Sequence, residues 1–213
     1  MINIIQFTRR GWGWLITKFY HRQFKHIHKK SYVSHTVIVN NPENLYMDEH
    51  TNIDGGAFIM NDRARFIMKK NSGSAIGLLI VTGNHMSVVG KNLKQVTNKV
   101  KDDLDVNHEM DKDVVVDEDV WIGARVTLLS GAHLGRGCEV GSGSVVRGSV
   151  PPYSVVVGNP CKVVGFRFTP EEILEHEKAQ YEENERLPFD MLQKNYEKYF
   201  LNRIKEIKQI TKL

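Results

Sequence analysis

The sequence predicts an all-β chain wound as a parallel β-helix of triangular section, with helical appendages at both ends. Three observations carry this. Across residues 116–151 every sixth residue is aliphatic: Val116, Ile122, Leu128, Leu134, Val140 and Val146. The fifth place of each hexad is small or β-branched, as in Val120, Val126, Ala132, Cys138, Ser144 and Val150. The second place is glycine three times, at Gly123, Gly135 and Gly141, where it allows corner dihedrals closed to other residues. A period of six fits neither a 3.6-residue helix nor a simple alternating strand. It fits a chain that turns a corner every sixth residue, so that three short strands close one coil and each aliphatic stacks on its counterpart one coil away. An ordinary sandwich would instead show turn signals roughly every 8–12 residues.

The length of 213 residues suits one domain with appendages. Two cysteines make no disulfide framework, and Cys138 occupies an inward slot, so a reduced, cytoplasmic setting is expected. No apolar run is long enough to cross a bilayer, and no signal peptide is read at the N-terminus. The formal charge of +4 conceals an asymmetry. Arg9, Arg10, Lys18, Arg22, Lys25, Lys29 and Lys30 all precede the first acid, Glu43.

Residues 1–33 read as a basic, aromatic helical segment. Leu15, Phe19, Phe24 and Ile27 share one face, with Lys18, Arg22, Lys25 and Lys29 opposite. Such a segment either docks on the protein or a neighbouring subunit, or lies on a membrane surface. It is short and lacks a recognition motif, so no nucleic acid is expected.

Residues 34–168 read as the coil domain. Asn40-Asn-Pro-Glu43 is a turn, Met47, Ile53 and Ile59 keep the six-residue step, and Asp54-Gly-Gly is a corner. The phase blurs over 63–74, as a bulge or small insertion, and returns near Ile76. It ends abruptly at VTGNH (81–85). The polar excursion 86–113 follows, without a hexad, and long irregular segments of this kind are usually functional or disordered. It reads as a flap beside a site. In 169–213, Thr169 caps a helix with Pro170 at its first position and acids in the first turn. Ile173, Leu174 and Tyr181 face inward. A second helix over 189–210 carries the stripe Met191, Tyr196, Phe200, Ile204 and Ile207, read as packing.

The combination of VTGNH (81–85), DVWIGA (119–124), GSGSVV (141–146) and PPYSVVVGNPCKV (151–163) resembles the hexapeptide-repeat acyltransferases. The likeness is greatest to maltose and galactoside acetyltransferases and to O-acetyltransferases of capsular and lipopolysaccharide biosynthesis. It is firm over 76–168 and looser over 34–75. It implies a left-handed coil, a homotrimer with active sites between adjacent subunits, acetyl-CoA as donor, a carbohydrate acceptor and no metal.

Site residues follow from the same resemblance. His85 matches the general base, which takes the proton of an acceptor hydroxyl as its oxygen attacks the thioester carbonyl. Asp54 aligns with an acceptor-side position one coil below, where it binds an acceptor hydroxyl or orients His85, and Asn84 is a second acceptor contact. Trp121 borders the donor channel. Ala124 and Ser142 leave room for pantetheine. Asn159 and Pro160 border the adenine end. Arg147, Lys162 and Arg167 are the bases for the donor's phosphates. Relatives often have Thr-Lys where this chain has Arg147-Gly148, which moves that charge by one residue. The backbone donors for the tetrahedral oxyanion are not identifiable from sequence.

Rival readings keep the fold and change the chemistry. An amino-sugar N-acetyltransferase or a xenobiotic acetyltransferase differs only in the acceptor pocket. A zinc lyase like the γ-type carbonic anhydrases needs three converging His, and His85 has no second His four or five residues away. A non-catalytic scaffold would have the basic N-terminus as its working end.

Overall fold

Short strands stack into three flat faces in the computed structural model, which describes residues 16–211 apart from Lys18. Face one is built from His26–Ile27, Leu45–Met47, Phe66–Met68, Val114–Val116, His133–Leu134 and Ser149–Val150. Face two is built from Tyr32–Val33, Asn52–Ile53, Gly73–Ser74, Trp121–Ile122, Glu139–Val140 and Ser154–Val157. Face three is built from Ile38–Val39, Phe58–Met60, Leu79–Val81, Thr127–Leu129 and Val145–Val146. Up to Ser154–Val157, consecutive strands belong to different faces, and every pairing within a face is parallel except the last. Lys162–Phe166 closes face two by running antiparallel to Ser154–Val157. The chain is a parallel β-helix with added helices.

The inward places behave as their residue types require. Val116, Ile122, Leu128, Leu134 and Val146 are fully buried, and so are Val126, Ala132, Cys138 and Ser144 in the fifth places. Stacking on the neighbouring coil buries each aliphatic on all sides, so truncating one such as Leu128 to Ala costs about 2–5 kcal/mol. The left-handed backbone falls at the fourth place, at Asp119, Arg125, Gly131, Gly137 and Gly143. The second-place glycines therefore serve close approach, not the corner dihedral expected of them. A Cβ on Gly123 would stand 2.6 Å from the Ser142 amide nitrogen.

Register explains where the phase blurs. Val115 pairs with His133 and Thr127 with Val145, eighteen residues on. Tyr46 pairs with Ile67, twenty-one on, because three residues are added after Asn61. Buried Asn61 brackets that bulge to the coil below: its side chain donates to Asn41 O (2.8 Å) and accepts from Asn41 N (3.0 Å). Met68, Ser74 and Ile80 then keep the six-residue step, with Ser74 in an aliphatic slot and Ile76 outside. The phase returns at Met68, not Ile76.

Two further expectations are corrected. The coil begins at His26–Ile27, ahead of residue 34. Ile16, Thr17, Phe19 and Tyr20 are helical, but His21–Gln23 is a 3-10 turn and Ile27 lies in a strand, so no single helical face runs from Phe19 to Ile27. Leu15 lies outside the described residues. At the other end, the second C-terminal helix is broken: Phe189–Tyr199 and Ile204–Ile210 are separated at Phe200, where the 3-10 turn Leu201–Arg203 intervenes. The helix Pro170–Gln180 has the expected cap, with Thr169 accepting from Glu172 N at 3.3 Å.

Candidate active site

His85 stands where the chain leaves face three. Thr82 follows the strand Leu79–Val81 with its side chain buried, donating to Ala64 O at 3.2 Å. Gly83 follows, and a Cβ there would lie 2.8 Å from Asp111 Oδ1. The missing side chain lets Asp111 reach under the turn. Asn84 N donates to Asp111 Oδ1 (3.3 Å), and Asn84 Nδ2 donates to Met110 O (2.9 Å). Lys101 Nζ donates to both Asn84 O (2.6 Å) and Asp111 Oδ1 (2.5 Å). Arg63 Nε donates to Asp111 Oδ2 (2.6 Å), and its guanidinium also pairs with Asp102. The backbone carrying His85 is thereby pinned from two directions, while its side chain is exposed. The turn opens on a cavity of 290 Å³ whose lining includes Met60, Asp62, Arg63, Val96, Asn98 and Lys101.

Asp111 has a side chain only 1% exposed. Burial alone would raise its carboxyl, but the hydrogen bonds and charges of Lys101 and Arg63 outweigh that and hold it below the usual carboxylate range. No motif in the sequence marks Lys101, Asp111 or Arg63 as part of the site. The excursion is more regular than its lack of a hexad predicts. It carries a helix, Asn98–Leu104, capped by Thr97, and a turn at Leu93–Gln95 closed by a reciprocal Asn92–Gln95 cap. The Thr97 cap and the four-residue spacing of Val96, Val100 and Leu104 were the available signals for that helix.

The remaining candidates fall along two edges of the prism. Asp54, Ala124, Ser142, Asn159 and Pro160 all follow face-two strands, on the edge towards face three. Ala124 N donates to Ser142 Oγ at 3.1 Å, so the two are stacked neighbours. Trp121 is beside that edge on face two, 50% exposed. Asn84 and His85 occupy the next edge, beyond face three. Asp54 therefore sits one corner before the column beneath His85, where Asp62 and Arg63 stand instead. It does not line the His85 cavity.

The bases separate as well. Arg147 and Lys162 line a cavity of 260 Å³ together with Arg203, which had not been singled out. Glu206 pairs with Lys162 (3.3 Å) and with Arg203 (3.0 Å). Arg167 is elsewhere. Strand Lys162–Phe166 delivers it to face two, where its guanidinium donates to Asp119 Oδ2 (2.8 Å) and Gly137 O (3.0 Å). Those contacts commit it to the corner and take it out of the phosphate group. Among the described residues, no three His, Cys, Asp or Glu side chains gather as a metal-binding group.

Residues 113–148 match the family model for bacterial transferase hexapeptide repeats (six repeats). A probable acetyltransferase of Mycobacterium tuberculosis is 52% identical over 54 residues, 25% of this chain but only 18% of that protein. A probable macrolide acetyltransferase of Lysinibacillus sphaericus is 30% identical over 142 residues, covering 63% of this chain and 74% of that one. The chain belongs to the hexapeptide-repeat acyltransferases. The fold of this family member matches those of solved relatives. A maltose O-acetyltransferase from Clostridium difficile superposes with a TM-score of 0.56 at 22% identity, covering 77% of this chain and 89% of that one. A hexapeptide-repeat acetyltransferase from Vibrio cholerae, in complex with acetyl-CoA, gives 0.55 at 21% identity, covering 70% and 74%.

Proposed function

We propose that the chain transfers acetyl from acetyl-CoA to a carbohydrate hydroxyl, with His85 as general base. The observation that carries this is His85 itself: an exposed imidazole on a backbone pinned by Lys101 and Asp111, at the mouth of a cavity. The acceptor oxygen attacks the thioester carbonyl while His85 takes its proton. The carbon–sulfur bond then breaks, and the imidazolium returns the proton to the departing sulfur. The products are an acetyl ester and the free thiol. Positioned proton transfer of this kind contributes about 10²–10⁴-fold in rate.

The donor fits the residues present. Arg147, Lys162 and Arg203 surround one cavity and suit its phosphates. Ala124 and Ser142 offer a small-residue edge for pantetheine, beside Trp121. The edge bearing Asp54, Ala124 and Ser142 and the edge bearing His85 are different corners of one chain. A complete site therefore takes one edge from each of two copies, which supports a homotrimer with active sites between subunits. Asp54 then acts on the acceptor from the neighbouring copy. A cytoplasmic setting accords with both cysteines being free thiols.

A second acceptor class, a hydroxylated xenobiotic, is favoured by the similarity to the macrolide acetyltransferase. The chemistry is unchanged. Thiol release from acetyl-CoA across sugars, sugar nucleotides, amino sugars and macrolides separates these readings. The expected product is a base-labile ester on a sugar. An amide product would reassign the enzyme to amino sugars, and failure to bind acetyl-CoA would overturn the reading.

A further inference from the structure

The N-terminal segment has two faces, and one is docked. Tyr20 Oη donates to Val37 O (2.5 Å), Val33 N donates to His21 Nε2 (2.9 Å), and Phe24 is buried in the core. Thr17 Oγ1 meets His35 Nδ1 at 3.2 Å. These contacts tie the segment to the first coil, whose strands His26–Ile27, Tyr32–Val33 and Ile38–Val39 are the edge strands of the three faces. The other face is open. Ile16 is 46% and Phe19 64% exposed, and the Arg22 guanidinium stacks 4.9 Å from the Phe19 ring centre. Lys25 and Lys30 are paired with Glu43 (2.8 Å) and Glu49 (3.0 Å). Among the described residues, Arg22 and Lys29 have no acidic partner.

Charge is concentrated towards this end of the chain. The first 42 residues hold seven Lys or Arg and no Asp or Glu, whereas the remaining 171 hold 22 and 25. Trp12 and Trp14 precede the open face in the sequence, with Arg9 and Arg10 before them.

We propose that this end of the coil is a docking surface for an anionic phospholipid bilayer, with Ile16 and Phe19 at the headgroup boundary and Arg22 and Lys29 on the lipid phosphates. Exposed aromatics interleaved with bases are the composition of segments that lie in a membrane interface, where aromatic rings settle at headgroup depth. A nucleic-acid duplex would use the bases but leave Ile16 and Phe19 without a role. Among the described residues no helix is long and apolar enough to cross a bilayer.

The test is flotation of the full chain with vesicles of phosphatidylcholine alone and of phosphatidylcholine mixed with phosphatidylglycerol, at low and high salt. Phe19→Ser and the double variant R22Q/K29Q are run alongside. Both alter exposed side chains, and an unchanged melting temperature checks the fold. The expected result is flotation with the anionic vesicles only, released by salt. The double variant binds about 25-fold more weakly, since each cation near an anionic leaflet strengthens binding roughly fivefold. Phe19→Ser weakens binding at unchanged charge. Equal flotation with neutral vesicles, no flotation with anionic ones, or variants that bind like wild type would each overturn the proposal. So would duplex DNA that binds Phe19→Ser as well as wild type and strips the protein from the vesicles. None of these outcomes depends on acetyl transfer.

Discussion

The ammonium of Lys101, on the excursion helix, lies 2.5 Å from the buried Asp111 carboxylate, where the excursion rejoins the coil. That pair closes the excursion onto the turn carrying His85. Lys101→Met leaves a buried carboxylate with Arg63 as its one cation. Removing one partner of such a pair costs up to about 3–5 kcal/mol. Urea unfolding and steady-state kinetics on Lys101→Met should show lower stability and a reduced kcat, while Lys91→Met, on the exposed part of the excursion, leaves both unchanged.

His133 and Asp117 form a pH-dependent pair, Nε2 to Oδ2 at 2.8 Å. The hydrogen bond that His133 donates to Asp117 raises His133 above its ordinary value, against the lowering effect of burial. Burial would raise Asp117, but hydrogen bonds from His133 and Lys69 take it down. The His133 contribution is complete below its unfolded value of about 6.5 and fades as pH rises through the folded one. The Asp117 contribution is present above about 3.9 and fades as pH falls through its lower folded value. His133 is about half exposed, so the effect is a few tenths of a kcal/mol. Melting curves of wild type and His133→Asn should differ most near pH 5.5 and converge by about pH 8.

Glu177 fastens the first C-terminal helix. Its fully buried carboxylate accepts from Tyr153 Oη (2.5 Å), Arg136 Nη1 (2.9 Å) and Leu187 N (2.9 Å). Burial, and then Glu177 as acceptor and charge, pushes the Tyr153 hydroxyl well up, so it stays a donor. Glu177→Ala leaves Arg136 with Glu118 as its one carboxylate partner and Tyr153 without its acceptor, and should cost up to about 3–5 kcal/mol. Tyr153→Phe should cost about 1–3 kcal/mol. Denaturant titration of both variants checks the order.

Ser74 Oγ is buried without a hydrogen-bond partner, between Ile53 and Ile122 in the face-two column. Ser74→Ala removes an unsatisfied hydroxyl and should stabilise the chain by about 1 kcal/mol, raising the urea midpoint at unchanged slope.

The hexads of 116–150 were legible because every first place holds an aliphatic residue that an interior suits. Legibility failed where that link loosens. Ser74 puts a hydroxyl in an aliphatic slot, and three residues after Asn61 break the count. The first coil, at 26–39, is written in bases and aromatics that suit a helix as well as an edge strand. Glu177 and Lys101 carry charge into buried positions, where composition predicts solvent. His85 was found through its motif. The Lys101, Asp111 and Arg63 cluster behind it depends on a helix docking forty residues away in sequence from Arg63, a relation no local pattern holds. Arg167 shows the converse: its charge suited a phosphate, but the closing strand carried it to Asp119.

The central claim is tested most directly by the kinetics of His85→Ala with acetyl-CoA and the best acceptor. The side chain is exposed, so folding should be unaffected. The account predicts a fall in kcat of about 10²–10⁴-fold, with the KM for acetyl-CoA little changed. A variant that keeps wild-type kcat would contradict it and remove His85 from the chemistry.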